Sequence, residues 1–240
     1  MNEDGGVSAR SASASLDSRP EELIGINRFS ATQFLVALVM LIFATPFIDQ
    51  PPYGEQIEAV VMTVVLLSGA LAVGGRRRIL ILSLSLSVTA VILKWVQHFQ
   101  PQIVPGFLVP AVSLLFMGLL IYELTRFIMR APQVDREVVC ASISTYISMG
   151  LAWTFAYVLV SRLHPESFAK FGQPLASLDA YDAFYFSYTT LLTIGYGDFT
   201  PLTRVAKMLV ILEGMTGMLY VVTLISRLVS IYSASRLGRH

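Results

Sequence analysis

Charge is scarce in this chain and cysteine nearly missing. Of 240 residues 14% are charged, Lys and Arg number 17 against 16 Asp and Glu, and Cys140 is the single cysteine. One cysteine excludes an intrachain disulfide and a cysteine metal cluster, so packing is the expected role for Cys140. A net charge of +1, with no broad basic face to neutralise phosphates, excludes nucleic acid as a partner. No His/Glu metal spacing, nucleophile elbow or phosphate loop occurs, and without one of these an enzyme is not supported. What the chain has instead is apolar residues. It is 55% hydrophobic with a mean hydropathy of +0.66, too apolar for a soluble domain of this length and suited to a bilayer.

Residues 1–28 are rich in Ser, Ala, Gly and Asp and bring almost nothing to bury, so a disordered cytoplasmic tail is expected, with a short interfacial turn over 21–28. The first apolar run begins only near Phe29 and continues to Ile48, the pattern of a retained spanning helix rather than a cleaved signal peptide. Apolar segments recur at 57–73, 79–96, 104–128, 138–160 and 203–231. Each approaches the roughly 20 residues that cross about 30 Å of hydrocarbon at about 1.5 Å per residue. The run 180–192 is too short to span. It reads as a re-entrant helix followed by extended backbone, tolerated at membrane depth only where protein buries it or water lines it. The expected fold is an all-α membrane protein of six transmembrane helices and one re-entrant helix. Its parts are a tail at 1–28, a four-helix module at 29–130, a second membrane domain at 137–233 and a second tail at 234–240.

Arg76, Arg77 and Arg78 join the second and third segments, and Arg126, Arg130 and Arg136 surround the link between the fourth and fifth. The first link carries Asp49 and Glu55 without a basic residue, and the link between three and four has no Lys or Arg. The positive-inside rule then puts both termini, with Arg236 and Arg239, in the cytoplasm of a multi-pass cell-membrane protein, and the loop after 180–192 outside. Moving one charge through 100 mV yields about 2.3 kcal/mol, so a voltage-sensing helix needs several charges. Residues 104–122 have no Arg or Lys, while Arg126 and Arg130 sit in the last turns and snorkel to the headgroups. A charged sensor is not expected, and the role of the four-helix module is not readable. Pro105 and Pro110 are placed to bend the fourth helix near its outer end. Ser83, Ser85, Ser87 and Thr89 read as packing positions whose hydroxyls bond their own backbone. Lys94 and Trp95 read as an interfacial anchor and His98 as a solvated loop residue.

Between the short run and the last long one stand Thr193, Ile194, Gly195, Tyr196, Gly197 and Asp198. A cation entering a membrane pore sheds its hydration shell, and closely stacked backbone carbonyls can replace it. To aim successive carbonyls at one axis the chain must alternate ordinary and positive-φ conformations, which glycine adopts cheaply. Gly195 and Gly197 meet that need. Thr193 adds a hydroxyl, Ile194 and Tyr196 can point away from the axis, and Asp198 closes the run at the mouth. The carbonyls of Thr193, Ile194, Gly195 and Tyr196 are the expected cation ligands, K+ in the family that the next residues bring to view. This TIGYGD hexapeptide resembles the TVGYGD signature of pore-loop potassium channels, and the likeness extends over 137–232 as outer helix, pore helix, filter and inner helix. The resemblance implies a homotetramer with one filter strand per chain, no cofactor beyond K+ in the filter, and the lipid bilayer as surroundings. The aromatic at Tyr196 favours potassium over sodium.

The loop 161–178 reads as a polar external turret with His164, Glu166 and Lys170 solvated. Asp179 reads as the pore-helix N-cap, with Asp182 able to complete a capping-box-like exchange. In the family, aromatic donors on the pore helix form a cuff on the filter tyrosine. Tyr185 and Phe186 hold those places by spacing, and only Tyr185 keeps a donor. Leu192 stands where many members have a second threonine. Gly217 lies twenty residues after Gly197, the family's hinge place. With Gly214 it reads either as a gating hinge or as a close-packing site on the pore helix. Glu213 lies about 15 Å deep by helical rise, where charge is costly and usually functional. It is expected to be buried and bonded to pore-helix groups, Thr189, Thr190 or a neighbouring subunit, with a cavity-facing ring of carboxylates as the other reading. The short stretch after the inner helix predicts no cytoplasmic ligand-binding domain, so the gating stimulus is not readable. A nonselective cation channel of the same fold is the alternative function. A K+ transporter subunit fits less well, since no internal repeat or second re-entrant segment is visible.

Overall fold

The computed structural model describes residues 30–48, 54–72, 77–100 and 102–237. The expected tail at 1–28, Asp49, Arg76 and Arg239 lie outside them. Seven helices are described: α1 (Ser30–Ile48), α2 (Gly54–Ala72), α3 (Arg77–Phe99), α4 (Leu108–Arg130), α5 (Arg136–Leu163), α6 (Ala180–Leu191) and α7 (Arg204–Leu237). Among the described residues, α4, α5 and the stretch Arg204–Ser230 of α7 are long and apolar enough to cross a membrane. Shorter apolar stretches occupy Ala31–Thr45 and Ile81–Gln97.

The boundaries have local causes. Asp135 caps α5, its carboxylate accepting from Val138 N at 2.9 Å, and Ala131 closes α4. Pro105 falls in the turn before α4 and Pro110 in its first turn. The missing N–H of Pro110 there would have had no helical partner, so neither proline sits where it would bend the helix mid-course. α7 runs on to Leu237, so the expected tail at 234–240 is helical over its described part.

The chain is not purely helical. Residues expected as a solvated turret carry β1 (Phe168–Lys170) and β2 (Gln173–Leu175), and β3 (Phe199–Pro201) follows the hexapeptide. They form an antiparallel sheet in the order β2-β1-β3, with Lys170 opposite Gln173 and also opposite Phe199. Phe171 and Gly172 both take positive φ, 50° and 78°, the two-residue turn whose twist matches paired strands. Strands of three residues are too short to carry a readable period-2 pattern, which is why the sequence did not announce them.

Two clusters hold the molecule together. One joins α1, α2, α4 and α5 through Phe34, Leu38, Val65, Phe116, Leu120 and Leu151. In lipid such helices gain little from hiding apolar surface, and close packing decides instead; Gly69 lets Phe34, Phe116 and Leu120 approach to van der Waals contact. The second gathers Tyr157, Phe168, Leu178, Ala183, Phe186 and Phe199, fastening α5, the sheet and α6 into one piece.

Candidate functional site

The start of α6 is fixed by Asp179, whose carboxylate accepts from Asp182 N at 2.7 Å. The Asp182 carboxylate accepts from Lys170 Nζ at 3.0 and 3.1 Å, and that ammonium also lies 4.9 Å over the Phe199 ring. Lys170 is thus a tie between sheet and pore helix rather than a solvated turret residue, whereas His164 and Glu166 are exposed as expected.

At its other end α6 hands its last carbonyls to the hexapeptide. Thr193 N donates to Thr190 O at 2.9 Å, and Ile194 N and Gly195 N both donate to Thr189 O at 2.8 and 3.2 Å. Those bonds turn the chain back in extended form. Positive φ recurs at every second residue, 58° at Thr193, 58° at Gly195 and 80° at Gly197. The two glycines adopt it without a Cβ penalty; Thr193 does so against its ordinary preference. Among the described residues no backbone N–H donates to the carbonyls of Thr193, Ile194, Gly195 or Tyr196, while Asp198 O accepts from Phe171 N at 2.7 Å. The hairpin turn therefore anchors the far end of the strand, and the carbonyls between its anchors are left available. Leu192 to Gly197 are all exposed in the single chain, Tyr196 by 71%.

Around this strand the aromatics divide. Tyr185 packs edge-on to Phe199 at 5.9 Å. Phe186 is buried against Tyr157, Phe168 and Phe199, at 5.0, 5.7 and 6.4 Å. It pins the pore helix to α5 and the sheet rather than lining the strand. Thr189 keeps its hydroxyl within α6, donating to Tyr185 O and Phe186 O.

Glu213 is fully buried. One oxygen accepts from Ser187 Oγ at 2.6 Å and the other from the Tyr157 hydroxyl. The expectation of a buried carboxylate bonded to the pore helix agrees with this geometry, but the partners are not Thr189 and Thr190: helical rotation turns Ser187, not the threonines, toward α7. A cavity-facing carboxylate is not what the chain presents. Ser187 Oγ also reaches Gly150 O at 2.8 Å, so α5, α6 and α7 meet at one polar point. Gly217 lies against the end of α6, where a Cβ would come within 2.6 Å of Leu191 Cδ1, while nothing lies within 4 Å of a Cβ at Gly214. Close packing accounts for Gly217 and not for Gly214, and α7 passes through both without interruption.

Several supports were not foreseen. Tyr146 donates to Leu191 O at 3.2 Å, Tyr188 to Ile147 O at 2.7 Å, and Tyr220 to Ser142 O at 2.8 Å. Trp153 Nε1 donates to Thr216 Oγ1 at 3.3 Å. Arg227 Nη2 donates to Met129 O and Ala131 O at 3.1 and 3.2 Å, tying α7 to the end of α4. The density of Tyr and Trp on α5 and α6 was the available signal, since a buried Tyr or Trp usually finds a partner for its polar end.

A family model described as "Ion channel" matches residues 145–234, spanning α6, the hexapeptide and most of α5 and α7. Two-pore potassium channel 4 of Arabidopsis thaliana is 47% identical over 49 residues, which are 20% of this chain and 17% of that relative. No solved structure matches. A re-entrant helix leading into TIGYGD lies inside the matched stretch, so residues 145–234 form an ion-channel domain, and over 49 residues the chain is similar to a potassium channel.

Proposed function

We propose that the protein is a potassium-selective channel in which four copies bring their Thr193–Ile194–Gly195–Tyr196–Gly197–Asp198 strands to a common axis. The observation that carries this reading is the alternation of positive φ at Thr193, Gly195 and Gly197, together with carbonyls at 193–196 that accept no backbone N–H among the described residues. Alternation turns successive carbonyls to one side, and unbonded carbonyls are what a dehydrated cation requires. Several K+ ions pass in single file, each displaced by the next. The C-terminal end of α6 carries the negative end of its helix dipole, and four such ends favour a cation below the filter.

The fourfold assembly is supported by what one chain leaves uncovered. Only 11% of the membrane-length window of α7 is buried, against 44% for α5, and Ile194 and Tyr196 have no cover of their own. We further propose that α1 to α4 form a four-helix transmembrane module at 29–130 beside a pore domain at 137–233, giving six spans with both termini cytoplasmic. K+ is the only bound species required, with the bilayer and three further copies as partners.

Planar-bilayer recording of the purified protein tests the reading. A reversal potential that follows the K+ gradient in the presence of Na+ is expected. Equal permeability to K+ and Na+ would leave the nonselective channel, and the absence of any conductance from intact tetramers would remove the channel reading of the strand.

A further inference from the structure

Leu191 is where α6 ends and the hexapeptide strand is about to begin, and both α5 and α7 take hold of it. The last carbonyls of a helix lack a helical partner and must find one elsewhere. Three of them are met by backbone N–H groups of the residues that follow: Tyr188 O by Leu192 N at 3.0 Å, Thr189 O by Ile194 N and Gly195 N, and Thr190 O by Thr193 N. The fourth, Leu191 O, accepts from the Tyr146 hydroxyl of α5 at 3.2 Å. The pore helix is thus closed by the strand at three carbonyls and by a second helix at the fourth.

The side chain of Leu191 is held from the other side. It is buried, and a Cβ at Gly217 would lie 2.6 Å from its Cδ1, 3.5 Å from its Cγ and 3.6 Å from its carbonyl oxygen. Gly217 is therefore a notch in α7 that Leu191 fills. Tyr220 follows on the same face of α7 at i, i+3. Its ring stacks on Tyr146 at 6.1 Å and 23°, and its hydroxyl donates to Ser142 O at 2.8 Å, one turn before Tyr146 on α5. So α7 grips Leu191 directly through the notch, and indirectly by steadying the ring that bonds its carbonyl. Because α7 is uninterrupted through Gly217, what the residue supplies there is space.

We propose that Gly217 and Tyr146 are positioning residues for the filter, the notch and the hydroxyl together setting where the last turn of α6 ends and so where the carbonyls of Thr193 to Tyr196 stand. Neither residue touches the ion. The amides of Thr193, Ile194 and Gly195 hang from α6 carbonyls, so a displacement of Leu191 is handed to the strand rather than absorbed before it. This inference rests on the reading of 193–198 as a cation filter.

The full chain is reconstituted in planar bilayers as wild type, Gly217→Ala, Gly217→Ala with Leu191→Ala, and Tyr146→Phe. Gly217→Ala pushes Leu191 out of the notch and is expected to lower the K+ to Na+ permeability ratio about tenfold, equal to about 1.4 kcal/mol of discrimination. Trimming Leu191 in the double variant makes room for the new methyl and restores most of that loss. Tyr146→Phe keeps the ring on Tyr220, drops only the hydroxyl and lowers the ratio in the same direction; it decides the matter if the Gly217 variants fail to fold. Equal passage of K+ and Na+ by wild type would remove the selective reading of the strand but not the positioning claim. That claim is then read from the rise of the thermal midpoint of the purified protein with K+ concentration, which Gly217→Ala and Tyr146→Phe weaken and the double variant recovers. A Gly217→Ala loss that Leu191→Ala fails to restore would assign the glycine to flexibility of α7 and overturn the proposal. So would unchanged ratio and K+ response in both single variants, or a wild type with neither selectivity nor a K+ response.

Discussion

Glu213 is the residue on which three helices converge, and its surroundings explain how a carboxylate can sit fully buried. Burying a polar group is tolerable when each lone pair that faces protein finds a donor, and here Ser187 and Tyr157 supply one donor to each oxygen. Replacing Tyr157 by Phe leaves an acceptor short and is expected to destabilise the protein by roughly 1–3 kcal/mol, read as a fall in the thermal midpoint of the detergent-solubilised protein. Glu213→Gln keeps the volume and is expected to lower that midpoint while leaving single-channel conductance unchanged. A large drop in conductance with normal stability would instead place the carboxylate in the ion path. Gly150 makes a sharper steric case: an added Cβ would lie 2.7 Å from Tyr188 Cζ, and the Tyr188 ring is held by its bond to Ile147 O. Gly150→Ala is expected to destabilise by about 1–3 kcal/mol through overpacking, even though alanine is the better helix former.

At the scale of elements, the hexapeptide is shaped from both ends. Its entry is held by the last carbonyls of α6 and its exit by the β1–β2 turn, through Phe171 N and Asp198 O. Gly195 needs φ near 58°, a conformation that costs other L-residues roughly 1–2 kcal/mol. Gly195→Ala is therefore expected to abolish selective K+ current while the protein still assembles, checked by recording alongside size-exclusion chromatography. The Lys170–Asp182 pair is partly exposed on the lysine side. Lys170→Met is expected to change stability by no more than about 1 kcal/mol, seen as a small shift in the thermal midpoint. The three membrane-length helices α4, α5 and α7 and the short α6 were legible because hydropathy and length speak directly to membrane depth; α1 agrees with its expected limits, and α6 with its expected limits to within one residue. The sheet was not, since β1, β2 and β3 draw their stability from the aromatic cluster beneath them and not from any pattern of their own. Phe186 illustrates the same limit: spacing marked its place on the pore helix but not the direction in which it points.

For the whole molecule, the least covered long helix is the one bearing the family's inner-helix residues, which is why assembly is expected to be fourfold. Chemical cross-linking of the purified protein should give a ladder that stops at four chains. Within each chain α7 is fastened to the rest through Glu213, Thr216, Tyr220 and, at the end of α4, Arg227. The Arg227 contact is a direct mechanical link between α4 and α7. Arg227→Met is expected to change open probability in bilayer recordings without altering the K+ to Na+ permeability ratio, because the filter lies at the other end of α7.

TIGYGD, the apolar segment lengths and the absence of charge in residues 104–122 were sufficient by themselves to indicate a membrane chain, a filter-like strand and the lack of a charged sensor. Each depends on local chemistry: glycine's backbone freedom, the thickness of hydrocarbon, and the number of charges a field can act on. Which hydroxyls meet Glu213, where Lys170 and Arg227 reach, and the fit of Leu191 against Gly217 were decided only by the tertiary structure. Those contacts join residues far apart in the chain, and helix rotation and strand pairing, which no local pattern encodes, determine which side chains come face to face.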